Sequence, residues 1–305
     1  MSATTSHVVA ITAVHNRLAC TQRCLASLRE GTSTAHLSII VVDDGSTDGT
    51  GEWLSSQLPD IITLTGDGSL WFGGATQWAI AYTISHFSTA DYVLILNNDT
   101  FVRPGAIDEM IAASNHRFSV AAALWLEDLK VVGTGGFLWH WARGLSDASA
   151  GAQWRVAHAS GRRGFMSVSA VATTCALHPI RRLKDAALVD ITKHPQNRYD
   201  ALLSANIREA GGRFLASYQI LADHLYGPPQ SRPTLRNLGF RGFWDATFRD
   251  ARSVYHLPFS LDATWHVAPT PWHALPVIGR QLMLFLRAVV GTSVRAVVNW
   301  KRRPS

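Results

Sequence analysis

Two acidic residues follow directly on a run of aliphatic side chains in the segment IIVVDDGSTDGT. A buried strand that ends in Asp43 and Asp44 either caps the next helix or holds its carboxylates out toward a ligand. A second strand pattern, LILNNDT, ends in Asn97, Asn98 and Asp99. Divalent cations such as Mg²⁺ take oxygen ligands from carboxylates and substrate phosphates, so Asp99 is a candidate metal ligand. Taken alone, an Asn-Asp pair at a strand end is more often a turn or a helix N-cap.

The segment GDGSLWFGG, from Gly66 to Gly74, places glycines around three apolar side chains directly before a helical pattern. Glycine lets the backbone approach a ligand closely, and the N-terminus of a helix attracts phosphate. The spacing matches neither a dinucleotide fingerprint nor a Walker loop. A tight turn with buried aromatic residues and a phosphate-binding loop therefore fit this segment equally well.

Alternating strand and helix patterns in the first hundred residues must position these side chains. Strands are predicted at 7–14, 37–44, 61–66 and 90–99, and helices at 19–31, 48–58 and 73–87. This alternation is typical of a mostly parallel sheet. In such sheets ligands bind beyond the carboxyl ends of the strands. The polar strand ends Thr12–Asn16, Asp43–Asp44 and Asn97–Asp99 are therefore expected at one common rim.

The later chain is less regular. Residues 118–170 are rich in glycine and tryptophan, which indicates an antiparallel addition with a mobile loop. Helices are predicted at 180–188 and 199–212, followed by a strand at 213–224. A proline-rich break, YGPPQSRP, then precedes a basic and aromatic C-terminal region.

Four segments carry a resemblance to a known family: TAVHNR, VVDDGSTDGT, GDGSLWFGGATQWAI and LILNNDT. In this order and spacing they resemble the nucleotide-sugar-binding half of the family 2 glycosyltransferases. The resemblance is strong over 7–105 and weaker over 165–226. It implies the α/β GT-A fold, a Rossmann-like, mostly parallel sheet with helices on both faces, here with a C-terminal helical appendage. The GDGSLW variant resembles the rhamnosyltransferase-type branch, which builds bacterial surface polysaccharides.

The resemblance implies a donor-binding role for residues from four segments. The nucleobase and ribose would contact the end of the first strand, the paired acids and the loop after the third strand. The sugar diphosphate would lie near the glycines that open the third helix. The implied donor-binding residues are Thr12, Ala13, Asn16, Asp43, Asp44, Asp67, Gly73, Gly74, Asn97 and Asn98.

The same resemblance implies a divalent metal, Mg²⁺ or Mn²⁺, and a catalytic base. The triplet Asn-Asn-Asp takes the place of the family's Asp-x-Asp, and Asp99 keeps the metal-binding position. His224 matches the second metal ligand. Asp200 matches the base, although Tyr199 replaces a family glutamate beside it. Taken singly, Asp200 fits a helix N-cap and His224 fits a hydrogen-bonded histidine at a strand end.

These roles imply an inverting, metal-dependent transfer of a sugar to a glycan or lipid-linked acceptor. The donor expected first is TDP-rhamnose, followed by UDP-galactofuranose or another UDP-hexose. A sugar nucleotidyltransferase is disfavoured, because AVHNRLACTQ lacks the glycine and lysine of an activating loop. A non-catalytic nucleotide-sugar-binding or scaffold protein is the remaining alternative, since the pair at 199–200 departs from the family pattern.

Positive charge collects in the last quarter of the chain. Of 28 basic and 22 acidic residues, eleven and three lie beyond residue 230. Residues 275–303 alternate apolar blocks with Arg280, Arg287 and Arg295, a pattern typical of an amphipathic helix on a membrane surface. A helix packed on the domain or in a homo-oligomer is the alternative. Nucleic acid is not expected as a partner, because no recognisable binding module accompanies the basic residues.

The chain therefore divides into a GT-A domain, 1–228, and a basic helical region, 229–305. Residues 1–105 would bind the donor and 106–228 the acceptor. The first residues lack the pattern of a signal peptide, and the apolar runs are broken by arginine, so we expect a cytoplasmic protein peripheral to the membrane. The three cysteines form no even framework and are expected to be buried, reduced thiols.

Overall fold

A ten-stranded mixed sheet forms the centre of the protein in the computed structural model. The model describes residues 5–133, 135–140, 145–146, 148–194, 196, 198–225, 240–249 and 256–301. The strands are β1 (His7–Val14), β2 (His36–Asp44), β3 (Ile62–Gly66), β4 (Tyr92–Asn97), β5 (Thr100–Val102), β6 (Phe118–Leu126), β7 (Val131–Gly133), β8 (Gly136–Phe137), β9 (Trp139–His140), β10 (Leu145–Ser146), β11 (Phe165–Val168), β12 (Ala170–Val171), β13 (Cys175–Pro179) and β14 (Arg213–His224). The helices are α1 (Leu18–Glu30), α2 (Thr50–Gln57), α3 (Trp71–His86), α4 (Ala106–Ser114), α5 (Ala148–Ala159), α6 (Ile180–Asp185), α7 (Tyr199–Glu209), α8 (Phe240–Phe248), α9 (Leu257–Val267) and α10 (Pro271–Lys301).

The main path of the sheet runs β11-β14-β6-β13-β4-β1-β2-β3, with β5 beside β14 and β7 beside β6. Strands β1 to β4 are parallel, and β6 is parallel to β14. Only β11, β13 and the short β5 and β7 run antiparallel to their neighbours within the described sheet. The predicted α/β fold with a mostly parallel central sheet is confirmed.

Alternate residues of each central strand pack into opposite layers, because successive side chains of a strand point to opposite faces. Val9 and Ile11 of β1 join the apolar layer that contains α3, α6, α7 and α9. Val8 and Ala10 join the layer that contains α1, α2 and α4. Burial on both faces explains why these strands read as continuous apolar runs in the sequence.

The middle of the chain, expected to be an antiparallel addition with a mobile loop, is only partly antiparallel in the ranges that the structure describes. β6 lies inside the main sheet, parallel to β14, and β13 lies between β6 and β4. The short strands β7, β11 and β12 do pair antiparallel to their neighbours. Nothing in the sequence marks a short apolar strand such as β13 as antiparallel, because an apolar run reads alike in both directions.

The described C-terminal helices pack on the body of the protein through α9. Arg208 Nη2 donates to the Val267 carbonyl over 2.8 Å, and His266 Nε2 lies 2.9 Å from Asn206 Oδ1. α10 then packs on α9 and α8. Across the described ranges, every helix is too short or too polar to be a candidate for crossing a bilayer.

One side of α10 packs inward and the opposite side is an exposed apolar stripe. Ala274 and Val277 are buried on the inner side. On the outer side, exposed apolar residues recur with helical spacing. The most exposed of them are Trp272 at 80% and Leu286 at 60%. We call this surface the α10 stripe; its residues are Trp272, Leu275, Leu282, Met283 and Leu286.

The three cysteines carry free thiols, as expected for reduced residues. Cys24 and Cys175 are buried and Cys20 is half-buried. Complete burial raises the pKa of the Cys175 thiol to about 12, so this side chain behaves as an apolar core group.

Candidate active site

A cleft of about 480 Å³ opens beyond the carboxyl ends of β1, β2 and β4. Parallel strands bring their polar ends to this edge, as the order of elements predicts. Among the described residues, its lining consists of Ala13, Val14, His15, Arg17, Asp44, Gly68, Trp71, Phe72, Asn97, Asn98, Asp99 and Gln196. Its volume lies in the range of small-molecule sites.

Five of the predicted donor-site or metal-site residues line this cleft: Ala13, Asp44, Asn97, Asn98 and Asp99. The other predicted residues lie outside the lining. Thr12 is buried in β1, and its hydroxyl has no hydrogen-bond partner among the described residues. The roles predicted for all these residues in donor binding remain predictions.

The two aspartates at the end of β2 make different contacts. Asp43 is buried, and its Oδ1 accepts the Ser46 N–H over 3.0 Å. Asp44 Oδ1 accepts the Gly68 N–H, and Oδ2 accepts the Trp71 N–H, each over 2.8 Å. Asp44 thereby fixes the loop between β3 and α3, while the rest of its surface lines the cleft.

The loop that Asp44 holds contains the predicted residue Asp67. Its exposed carboxylate accepts hydrogen bonds from the backbone N–H and hydroxyl of Ser69. These bonds lower the pKa of the Asp67 carboxyl below its usual range, the hydroxyl contact contributing most. Asp67 thus shapes the loop, and its carboxylate stays ionised at neutral pH.

The glycines of the same segment, Gly73 and Gly74, are buried in the first turn of α3. The N–H groups before them already have acceptors. Trp71 N donates to Asp44, and Phe72 N donates to Gln196 Oε1 over 3.1 Å. Protein side chains therefore satisfy part of this helix N-terminus, which reduces what it offers to a phosphate.

Asn16, predicted under the nucleobase, joins β1 to the loop after β2. Its backbone N–H donates to Ser46 Oγ over 2.7 Å, and its Oδ1 accepts the Thr47 N–H over 2.8 Å. Both Asn16 and the next residue, Arg17, have left-handed backbone angles, with φ of 61° and 67°. Asparagine tolerates this region, but an arginine in it is strained, so the turn is held by its surroundings.

Asp99 and His224 meet although they lie 125 residues apart in the chain. Asp99 Oδ1 lies 3.3 Å from His224 Nδ1, and Asp99 Oδ2 accepts from Arg17 Nη1 over 2.7 Å. Burial alone would raise the pKa of the Asp99 carboxyl, but His224 and Arg17 outweigh it and hold the pKa below its usual range. Pairing of β5 with β14 sets Thr100 opposite His224 and fixes this geometry.

These two residues fit part of a divalent metal site. Asp99 Oδ1 is buried and makes no hydrogen bond of good geometry. It lies next to His224 Nδ1, which is also 3.1 Å from Thr100 Oγ1 and 3.2 Å from the Asp99 carbonyl oxygen, so this nitrogen would have to give up those contacts to bind a cation. Of these two donors, the carboxylate oxygen is the kind that Mg²⁺ and Mn²⁺ prefer. No cluster of three or more metal-ligating side chains is found in the described parts of the chain. A cation here would need further ligands, which substrate phosphates can provide.

Asp200 lies in the first turn of α7, half-buried, with Oδ1 accepting the Ala201 N–H over 2.8 Å. Its neighbour Tyr199 is buried and packs edge-on against Phe72, with ring centroids 6.0 Å apart. Phe72 lines the cleft, so the start of α7 lies directly behind one wall of the site. Its role as a base stays a prediction.

The cleft also contains residues that the sequence patterns did not single out: Arg17, Trp71, Phe72 and Gln196. Arg17 stands in the segment TAVHNR and the two aromatic residues in GDGSLWFGG, so the motifs held the signal. Gln196 had no signal, because its position depends on the path of the chain before α7. Arg17 remains charged: partial burial lowers the pKa of its guanidinium, but contact with Asp99 outweighs burial and raises it.

Comparison with known proteins agrees with this architecture. The crystal structure of GalNAc-T7 with UDP, GalNAc and Mn²⁺ superposes with a TM-score of 0.56 at 12% sequence identity. The match covers 88% of this chain and 52% of that one, so this chain spans about half the length of its structural neighbour. At this identity the likeness concerns the GT-A fold alone. No curated protein matches the chain.

The sequence model of one family, described as glycosyl transferase family 2, matches residues 9–166. This range covers a little over half of the chain, and it includes every residue that lines the cleft except Gln196. The chain therefore belongs to glycosyl transferase family 2.

Proposed function

We propose that the protein transfers a sugar from a nucleoside diphosphate sugar to a glycan or lipid-linked acceptor in the synthesis of a cell-surface polysaccharide. The observation that carries the proposal is the meeting of Asp99 with His224 at a cleft that also presents Asp44, Asn97 and Asn98. Acids and amides from separate segments would there surround a diphosphate. TDP-rhamnose is the donor we propose first, and a UDP-sugar second.

Asp99 and His224 would hold the divalent cation, Mg²⁺ or Mn²⁺. Once bound, such a cation offsets the negative charge that grows on the departing diphosphate. The Mn²⁺ and UDP named for the GalNAc-T7 structure support this proposal by analogy of fold. Ionisation of Asp99 is favoured by its partners, so the carboxylate is ready to accept a cation at neutral pH.

The nucleobase and ribose would lie against the ends of β1 and β2. Ala13 and Asp44 line this part of the cleft, and Trp71 and Phe72 provide apolar surface. Asp43 lies one residue earlier, where Gly51 leaves room for it: an added Cβ at Gly51 would lie 2.9 Å from Asp43 Oδ2. We propose that Asp43 accepts the imide N–H of the base.

Asp200 would accept the proton of the acceptor hydroxyl as that oxygen attacks the anomeric carbon. The carbon–oxygen bond to the diphosphate breaks as the new glycosidic bond forms. A single displacement of this kind inverts the anomeric centre and needs no covalent sugar–enzyme intermediate. Residues 106–228, which include α7, would thus serve the acceptor, and residues 1–105 the donor.

The acceptor chemistry also gives the α10 stripe a proposed role. A lipid-linked acceptor requires the protein to work at a membrane surface, and the stripe exposes tryptophan and leucine beside Arg280 and Arg287. We propose a peripheral contact with the cytoplasmic face of the membrane through the basic region 229–305.

The decisive experiment measures release of nucleoside diphosphate from TDP-rhamnose and UDP-sugars with Mn²⁺ or Mg²⁺. Wild-type protein should release the diphosphate slowly by hydrolysis and faster with acceptor. Asp200→Asn should bind the donor with unchanged affinity yet lose at least about a hundredfold in turnover with acceptor. Release of pyrophosphate would indicate a nucleotidyltransferase, and donor binding without any release would indicate a scaffold protein.

A further inference from the structure

Arg17 already occupies the carboxylate that we assign to the cation. It is the only lysine or arginine among the described residues that line the cleft. Its Nη1 lies 2.7 Å from Asp99 Oδ2, and the side chains of Arg17 and Asp99 are 48% and 14% exposed. In the free protein the chain itself therefore supplies the positive charge that faces Asp99.

The backbone conformation that directs Arg17 to Asp99 is strained. Asn16 and Arg17 both adopt left-handed angles; asparagine tolerates this region, but for Arg17 it costs about 1 kcal/mol or more. The turn is tied down on both sides, because Asn16 N donates to Ser46 Oγ and Leu18 N donates to Asp48 Oδ2 over 2.9 Å. The result is an arginine directed to the cleft from a rigid turn.

Stability alone does not account for this arrangement. A partly exposed ion pair such as that of Arg17 with Asp99 contributes about 0–1 kcal/mol to folding. This contribution does not exceed the strain of Arg17 in its left-handed conformation. Strained backbone that holds a charged side chain at a cleft points instead to a role in binding.

We propose that Arg17 is an exchangeable counter-ion: it pairs with Asp99 in the free protein and with the diphosphate of the donor in the loaded protein. This inference rests on the proposed function. Arg17 releases Asp99 when cation and diphosphate arrive together, and its guanidinium then donates to phosphate oxygens, the anion geometry that arginine fits best. Cation and nucleotide consequently bind with positive coupling, since each favours the same position of Arg17.

The test compares wild-type protein with Arg17→Gln by calorimetric titration. MnCl₂ is titrated alone, and UDP and TDP are titrated with and without Mn²⁺. Removing the competing charge should tighten binding of Mn²⁺ alone about fivefold. Removing the phosphate donor should weaken binding of the diphosphate about tenfold in the presence of Mn²⁺. Arg17→Lys keeps the charge but not the planar pair of donors, so its affinities should lie between those of the wild-type protein and those of Arg17→Gln.

Arg23→Gln is the matched control. Arg23 lies on α1, directly after the turn that carries Arg17, has a similar exposure, and pairs with Glu127 over 2.5 Å, outside the cleft lining. Its substitution should leave both affinities unchanged. The inference is overturned if Arg17→Gln changes neither affinity or weakens both, since a loss of structure would weaken both. Wild-type protein that binds neither UDP nor TDP at any Mn²⁺ concentration would instead overturn the proposed function.

Discussion

At the scale of single residues, Asp44 shapes the cleft through hydrogen bonds to backbone. Its two oxygens accept from Gly68 and Trp71, which lie on either side of a tight loop. Gly66 lets the carboxylate approach, because an added Cβ there would lie 2.6 Å from Asp44 Oδ1. The carboxylate of Asp44 is thus stabilised by two peptide N–H groups, and the conformation of the loop that carries Trp71 depends on these hydrogen bonds.

Asp44→Asn should lower the free energy of unfolding by about 2 kcal/mol, because an amide can accept from only one of the two N–H groups and presents a donor to the other. Donor binding should weaken as the loop loosens. Urea denaturation measures the first effect. Asp67→Asn is the control on the same loop: it is exposed and accepts only from Ser69, so its unfolding midpoint should stay near that of wild type. Equal midpoints for both variants would contradict this account.

Sequence patterns predicted the residues at the strand ends and missed the contacts between them. The alternation of strands and helices places Asp44 and Asp99 at one edge of the sheet, whatever contacts the side chains then make. The pairing of Arg17 with Asp99 joins residues 82 apart in the chain and depends on a strained turn. Such a contact follows from three-dimensional register, which local periodicity does not encode.

At the scale of elements, β13 is a buried antiparallel strand between β4 and β6. It carries a histidine, His178, whose Nδ1 lies 2.9 Å from Ser119 Oγ on β6. Complete burial lowers the pKa of His178 to about 4, and its Nε2 has no hydrogen-bond partner among the described residues. The imidazole of His178 is therefore neutral in the folded protein over most of the physiological pH range.

This burial makes folding stability depend on pH. Below about pH 6.5 the unfolded chain protonates the imidazole, whereas the folded chain does so only near pH 4. His178 alone should therefore lower the free energy of unfolding by roughly 3 kcal/mol between pH 7 and pH 4. His178→Gln should be less stable at pH 7 and show a shallower slope. Parallel slopes in urea denaturation across this interval would refute the assignment.

The short strand β8 crosses close to the central sheet, which its glycine permits. A Cβ at Gly136 would lie 2.6 Å from Ala216 Cβ and 2.8 Å from Val168 Cγ1. Gly136→Ala should therefore cost about 1–3 kcal/mol of stability by overpacking. Gly279→Ala is the control: nothing lies within 4 Å of its added Cβ, and alanine favours the helix by about 1 kcal/mol. Thermal unfolding should shift in opposite directions, and shifts of the same sign would argue against this packing.

At the scale of the whole molecule, apolar surface and charge coincide on α10. Residues 263–305 contain no aspartate or glutamate. A second copy of the chain placed against the α10 stripe would bring like charges together, whereas a surface of anionic lipid would neutralise them. The amphipathic pattern was evident from the sequence. Which face points outward was not, because it depends on how α9 and α8 hold the helix.

Vesicle sedimentation tests this surface. Wild-type protein should bind vesicles that contain anionic phospholipid, more weakly at high salt, and bind neutral vesicles poorly. The double substitution Leu282→Gln and Leu286→Gln should reduce partitioning roughly tenfold or more. Leu188→Gln removes a leucine elsewhere that is more exposed than either of these two, and it should change nothing. A wild-type protein that ignores vesicles but forms a dimer lost in the double variant would make the stripe a subunit interface.

The pairing of β5 with β14 has a consequence for how such a chain can diversify. Asp99 and His224 are held together by adjacent strands, with Leu225 N donating to the Asp99 carbonyl over 3.0 Å. Their separation is set by this short ladder and is independent of the length of the surface loops between them. Loops of the intervening chain can therefore be exchanged or extended without moving these two side chains apart. The arrangement is modular: the surface can be redesigned while this pair of side chains keeps its geometry.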